Sequence, residues 1–109
     1  MDERRKYPRT NISLPVECKM LPSRDYFYTV SKDLSQVGVK IISNEFMPRN
    51  ELLKLSLNLI NKMLDVKARV VWCSRERASE RYSAGVEFVE IESHSRNELT
   101  AFLATTGNS

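Results

Sequence analysis

The sequence predicts an all-β fold, an antiparallel barrel or sandwich of short strands followed by one C-terminal α-helix. Three observations carry that expectation. Apolar residues recur at every second position through five separate runs, the period of a strand with one buried face. Short polar segments with turn chemistry separate the runs, at a spacing that suits hairpins and not βαβ units. Only at the C-terminal end does the apolar spacing switch to that of a helix.

Taken in order, residues 1–10 form a charged arm with no apolar pattern. Leu14, Val16, Cys18 and Met20 then alternate with Ser13, Pro15, Glu17 and Lys19, the first strand. Pro22-Ser23-Arg24-Asp25 breaks it, and Tyr26–Ser31, rich in aromatic and β-branched residues, is the second. Val37, Val39 and Ile41 mark the third. A loop between Ser43 and Asn50 leads to the leucine strand Leu53, Leu55, Leu57 and Leu59. Asn61-Lys62 turns the chain into Val66, Ala68, Val70 and Trp72. The polar stretch Ser74–Arg81 turns it again into Tyr82, Ala84, Val86 and Phe88. Ser95-Arg96-Asn97-Glu98 has the form of a capping box, followed by Leu99, Phe102 and Leu103 on one helical face. That stripe is too short to span a membrane. It predicts a helix over 95–104 that plugs an open barrel end or joins a dimer contact.

The length of 109 residues fits one domain: arm 1–10, barrel 11–92, helix 95–104. Cys18 and Cys73 sit in apolar-patterned runs and read as small core residues, not as a disulfide framework or a metal site. No apolar leader precedes the arm, which points to a reduced, cytoplasmic protein. The net charge of +3 is unevenly placed. Arg4, Arg5, Lys6 and Arg9 outweigh Asp2 and Glu3 in the arm, and the remaining hundred residues carry only +1. A field gathered at one end suits a compact anion better than a long polyanion. A solvated basic tail gives the same charge pattern.

Two constellations carry chemistry. In Arg5-Lys6-Tyr7-Pro8-Arg9, Pro8 pushes Tyr7 toward extended geometry, so the two arginines lie up to roughly 13 Å apart. Guanidinium groups fork onto phosphate and stack on aromatic rings, and a ligand with phosphates and purines uses both abilities. In Asp33-Leu34-Ser35-Gln36-Val37-Gly38, strand spacing directs Asp33 and Ser35 to one side and Leu34 to the other. A carboxylate accepts two hydrogen bonds from the edge of guanine, a hydroxyl donates to phosphate, and Gly38 allows a sharp turn or a close approach. The plain structural alternative is a polar turn, with Asp33 and Ser35 bonding backbone amides and Gly38 supplying positive φ.

In this order and separation, the two segments resemble the PilZ domain family, whose pattern is RxxxR followed by (D/N)xSxxG. The similarity extends over roughly residues 4–103, through Ala68-Arg69-Val70-Val71-Trp72 and Gly85-Val86-Glu87-Phe88. The resemblance implies a six-stranded antiparallel β-barrel with a C-terminal helix and a flexible N-terminal arm. It implies binding of cyclic di-GMP, often as an intercalated dimer. Arg5 and Arg9 would grip phosphate and stack on guanine, with Arg4 as a further contact. Asp33 would pair with a guanine edge, Ser35 would contact phosphate, and Gly38 would leave room for the ligand. Trp72 would either stack near the ligand or serve the core or the barrel surface. Ligand binding would draw the arm onto the barrel and present an altered surface to a downstream protein partner.

No cofactor, metal or membrane insertion is expected. Nor is catalysis: His94 is the only histidine, no nucleophile–base pair appears, and Glu87, Glu90 and Glu92 read as a solvated strand face and its exit. Two other functions remain open. A single-stranded nucleic-acid binder would use Tyr26, Phe27 and Tyr28 as a stacking platform with Lys32, Lys40 and Arg69 nearby, against the concentration of charge in the arm. A PilZ-like module given over to protein interaction would not need the messenger.

Overall fold

The computed structural model describes residues 11–21, 25–60 and 62–106. Six strands form along the chain: β1 Pro15–Leu21, β2 Tyr26–Lys32, β3 Gly38–Ser43, β4 Leu52–Asn58, β5 Met63–Arg75 and β6 Tyr82–Glu90. One helix, α1 Ser93–Thr106, follows. The strands close into a barrel in the order β1-β2-β3-β6-β5-β4, every neighbouring pair antiparallel. The expected barrel architecture and C-terminal helix are therefore present. Closure falls between β1 and β4, from Val16 opposite Leu57 to Leu21 opposite Leu52.

The period-2 alternation accounts for the interior. Val16 and Cys18 from β1, Val39 and Ile41 from β3, Leu53, Leu55 and Leu57 from β4, and Leu64, Val66, Ala68 and Val70 from β5 all point inward. Ala84 and Val86 complete the ring from β6. Leu99 and Leu103 of α1 join the same core, with Phe102 packed against it. The helix thus plugs the barrel, one of its two expected roles.

Two expectations need correction. The inward set on β5 does not run on to Trp72, because the register shifts between Val70 and Trp72. Val70 pairs with Val86, but Trp72 pairs with Gly85 and Cys73 with Ala84. The extra residue of a bulge reverses the parity of everything after it. Cys73 takes the inward position, and the Trp72 indole lies across Gly85 on the outer wall, where a Cβ on that glycine would fall 2.2 Å from Nε1. The capping box also does not form as expected. The helix begins at Ser93, two residues early, and the Glu98 carboxylate pairs with His94 at 2.5 Å and Lys62 at 3.5 Å.

Candidate ligand-binding site

The segment between β2 and β3 is a loop, not continuous strand. Asp33 adopts a left-handed conformation (φ 51°), which short polar residues tolerate better than most. Strand spacing therefore does not govern 33–37, and the expected shared side of Asp33 and Ser35 has no basis there. Leu34 does turn inward and is fully buried. Its burial anchors the loop to the core while Asp33 stays half exposed.

Ser35 closes the loop on itself. Its N–H donates to the Gly38 carbonyl at 2.9 Å, its Oγ donates to the same carbonyl at 3.3 Å, and Oγ accepts the Val37 N–H at 3.2 Å. The hydroxyl proton thus sits in a long, weak bond. Gly38 has no positive φ, so the turn-glycine explanation fails. Close approach explains it: a Cβ here would stand 2.3 Å from the Val86 carbonyl oxygen of β6.

Ser31 is a residue the sequence reading passed over. It occupies an inward-facing position of β2 and is fully buried. Its Oγ donates to the Ile12 carbonyl and accepts the Leu14 N–H, each at 3.0 Å. Its own N–H donates to the Leu14 carbonyl at 2.8 Å. These three bonds fix the segment leading into β1 beside the end of β2, two residues before Asp33. A polar side chain at an inward parity position was the signal that could have found it, because such a group is retained only when bonded.

The outer wall beside the loop carries charge. Lys32 on β2 stands directly opposite Lys40 on β3. Lys40 in turn faces Gly85, which Trp72 covers. Gly38 faces Glu87, whose carboxylate is bound by Arg69. Arg69 is thus already paired. Of the three aromatics expected to stack bases, Tyr26 and Tyr28 face solvent but Phe27 turns toward the core.

Arg4, Arg5 and Arg9 lie outside the described residues. Among the described residues no group of three His, Cys, Asp or Glu side chains is placed to hold a metal ion, and no helix is long and apolar enough to cross a membrane.

The PilZ domain family model matches residues 3–105. The chain belongs to the PilZ family. Solved structures agree with that placement. The inhibitor of motility MotI (DgrA) of Bacillus subtilis superposes with a TM-score of 0.81 at 21% identity, over 99% of this chain and 53% of that one. MrkH of K. pneumonia gives 0.80 at 15% identity, over 99% and 50%. The PilZ domain of Escherichia coli YcgR, solved with c-di-GMP, gives 0.75 at 15% identity, over 97% and 93%. This PilZ chain therefore spans about half the length of MotI and MrkH and nearly all of the isolated YcgR domain. At these identities the superpositions establish the fold. No curated protein sequence matches the chain.

Proposed function

We propose that this chain is a cyclic di-GMP receptor acting as a single PilZ domain in the cytoplasm, without catalysis, and signalling to a protein partner through its N-terminal arm. The observation that carries the proposal is the family match over residues 3–105, which takes in both the arginine motif and the loop from Asp33 to Gly38. In this proposal Arg5 and Arg9 hold phosphate and stack on guanine, with Arg4 beside them. Asp33 accepts from a guanine edge, Ser35 donates to phosphate, and Gly38 keeps the loop close to β6.

The chemistry of the described residues supports these roles. Ser31 holds Ile12 in place, and Arg9 is three residues away, at most roughly 10 Å of chain. Contact with phosphate would let Ser35 exchange a long neutral hydrogen bond for a charge-assisted one, about twice as strong. Lys32 and Lys40, like charges facing each other across two strands, oppose pairing unless an anion lies between or above them. Closing the arm costs conformational entropy, which the ligand contacts would have to offset.

Isothermal titration of cyclic di-GMP tests the proposal, with Arg5→Ala and Arg9→Ala variants and GTP as the control ligand. Saturable binding that either substitution abolishes, with no heat from GTP, is the expected result. Equal affinity in wild type and both variants would remove the arm from the site, and no binding at millimolar ligand would remove the messenger.

A further inference from the structure

The barrel has one weak seam. β2 and β3 share only two register pairs, Ser31 with Ile41 and Lys32 with Lys40. Continuing that register would set Val30 opposite Ile42 and Thr29 opposite Ser43, yet neither pair forms. The strands splay, and between them lies an open groove of about 430 Å³. It is lined by residues 27–30 of β2, by Ile42 and Asn44, and by Arg81.

The direction of the backbone groups on β2 follows from one bond. The Ser31 N–H points to β1, where it meets the Leu14 carbonyl. Bonding direction alternates along an antiparallel strand, so Phe27 and Thr29 also face β1 while Tyr26, Tyr28 and Val30 face the groove. Among the described residues, Tyr26 and Tyr28 thus have no register partner on β3; at Val30 the carbonyl accepts the Ile42 N–H, as the Ser31–Ile41 pairing requires, and the N–H is left over. The side chains of those same residues are the exposed ones: Tyr28 is 78% accessible, Tyr26 56% and Val30 42%. An uncharged, apolar strand edge of this kind is what proteins ordinarily blunt with lysine, proline or a bulge. Residues 26–31 contain none of these.

We propose that this edge of β2 and its groove form a docking site for an extended segment of a protein partner, which adds to the barrel as a further strand. Main-chain bonds to Tyr26, Tyr28 and the Val30 N–H would supply affinity, as in other strand-addition complexes. Charge sets the chemistry of the segment. Arg81 is the one charged side chain lining the groove, 62% exposed and only loosely paired with Glu76 at 4.0 Å. Lys32 and Lys40 stand where the strands converge. A segment alternating β-branched residues with a carboxylate at the Arg81 end complements that surface. Its docking strand is the strand that leads into the Asp33 loop.

Amide hydrogen exchange on the whole chain tests this directly, using as probe a capped seven-residue peptide that alternates Val and Thr and carries one Glu. In the free protein the amides of Tyr28 and Val30 exchange quickly while those of Phe27 and Thr29 are protected. The peptide slows Tyr28 and Val30 at least tenfold and leaves Phe27 and Thr29 unchanged. Replacing its Glu by Lys, or Arg81 by Ala, weakens binding about fivefold. Tyr28→Pro removes an outward-facing N–H, spares the β1 ladder, and abolishes binding. Slow exchange at Tyr28 and Val30 before peptide is added would mean the edge is already filled and overturn the proposal. So would peptide protection elsewhere on the barrel, or none at millimolar concentration. Concentration-dependent protection without peptide would assign the edge to a second copy of the chain. Perturbation of Tyr26 and Tyr28 by oligo(dT) but not by peptide would assign it to single-stranded nucleic acid.

Discussion

Gly38 ends the segment Asp33–Gly38 through which the sequence resembles the family pattern, and two explanations for it predict different experiments. If it serves only to admit the ligand, Gly38→Ala costs affinity and leaves the apo protein as stable as before. The structure argues otherwise. An added Cβ would meet the Val86 carbonyl oxygen at 2.3 Å and the Glu87 Cα at 3.2 Å. That oxygen belongs to a strand backbone, so no rotamer change relieves the overlap. β6 must retreat by about 1 Å to restore ordinary contact. The retreat strains the pairing of Gly38 with Glu87 and of Val39 with Val86, and the adjoining bond from the Phe88 N–H to the Val37 carbonyl at 2.8 Å. Overpacking of this sort costs about 2 kcal/mol. For a domain of this size, that corresponds to a fall in Tm on the order of 10 °C. Thermal and urea unfolding of wild type and Gly38→Ala without nucleotide measures it. A change smaller than about 0.5 kcal/mol, together with lost cyclic di-GMP affinity, would refute the packing argument and leave Gly38 as a ligand residue alone.

Four further outcomes follow from particular residues. Ser31→Ala removes both side-chain bonds to the arm's root and should destabilise by about 1–3 kcal/mol, with faster exchange at the Leu14 amide; an unchanged Leu14 amide would count against the anchoring role. Burial, with a smaller contribution from Glu17, pushes the Cys18 thiol up from 9.0 to about 12. The unfolded chain therefore releases that proton first, and stability present below pH 9 is lost between about 9 and 12, at up to about 1.4 kcal/mol per pH unit. Cys18→Ala should flatten this alkaline loss in urea titrations, and parallel pH slopes would sink the assignment. Ile60, β-branched and exposed, is held at φ 78°, so Ile60→Gly should raise stability by about 1 kcal/mol in the same assay, and a loss would mean that its side chain matters more than its backbone. Lys40→Ala should weaken cyclic di-GMP binding severalfold while slightly raising apo stability, by about 0.2–1 kcal/mol, because it relieves the charge opposite Lys32; full affinity would exclude Lys40 from the site.

What was legible in the sequence was whatever repeats. The inward residues of β3 and β4 and most of those of β1, β5 and β6 follow from a period of two, since each apolar side chain at that spacing faces the same interior. The loop from Asp33 to Gly38 was legible as a motif but not as a geometry. Its two structural facts, the left-handed Asp33 and the close passage of Gly38 past Val86, depend on one backbone dihedral and on a strand almost fifty residues away in sequence. The same holds for Trp72. Its parity is set by a single extra residue in β5 that no alternation pattern announces, and Gly85 then makes space for the indole that the reversal brings outside. The open edge of β2 is the most instructive case. The aromatic run Tyr26–Ser31 suggested a stacking platform because sequence shows which side chains are large, not which way each faces or where the backbone bonds go. Once Ser31 fixes the bonding direction, the same residues separate into Phe27 and Thr29, which bond to β1, and Tyr26 and Tyr28, which with the Val30 N–H still offer donors and acceptors. A surface that offers backbone hydrogen bonds as well as rings recognises polypeptide more naturally than bases, and what creates that surface is register, which only the closed barrel supplies.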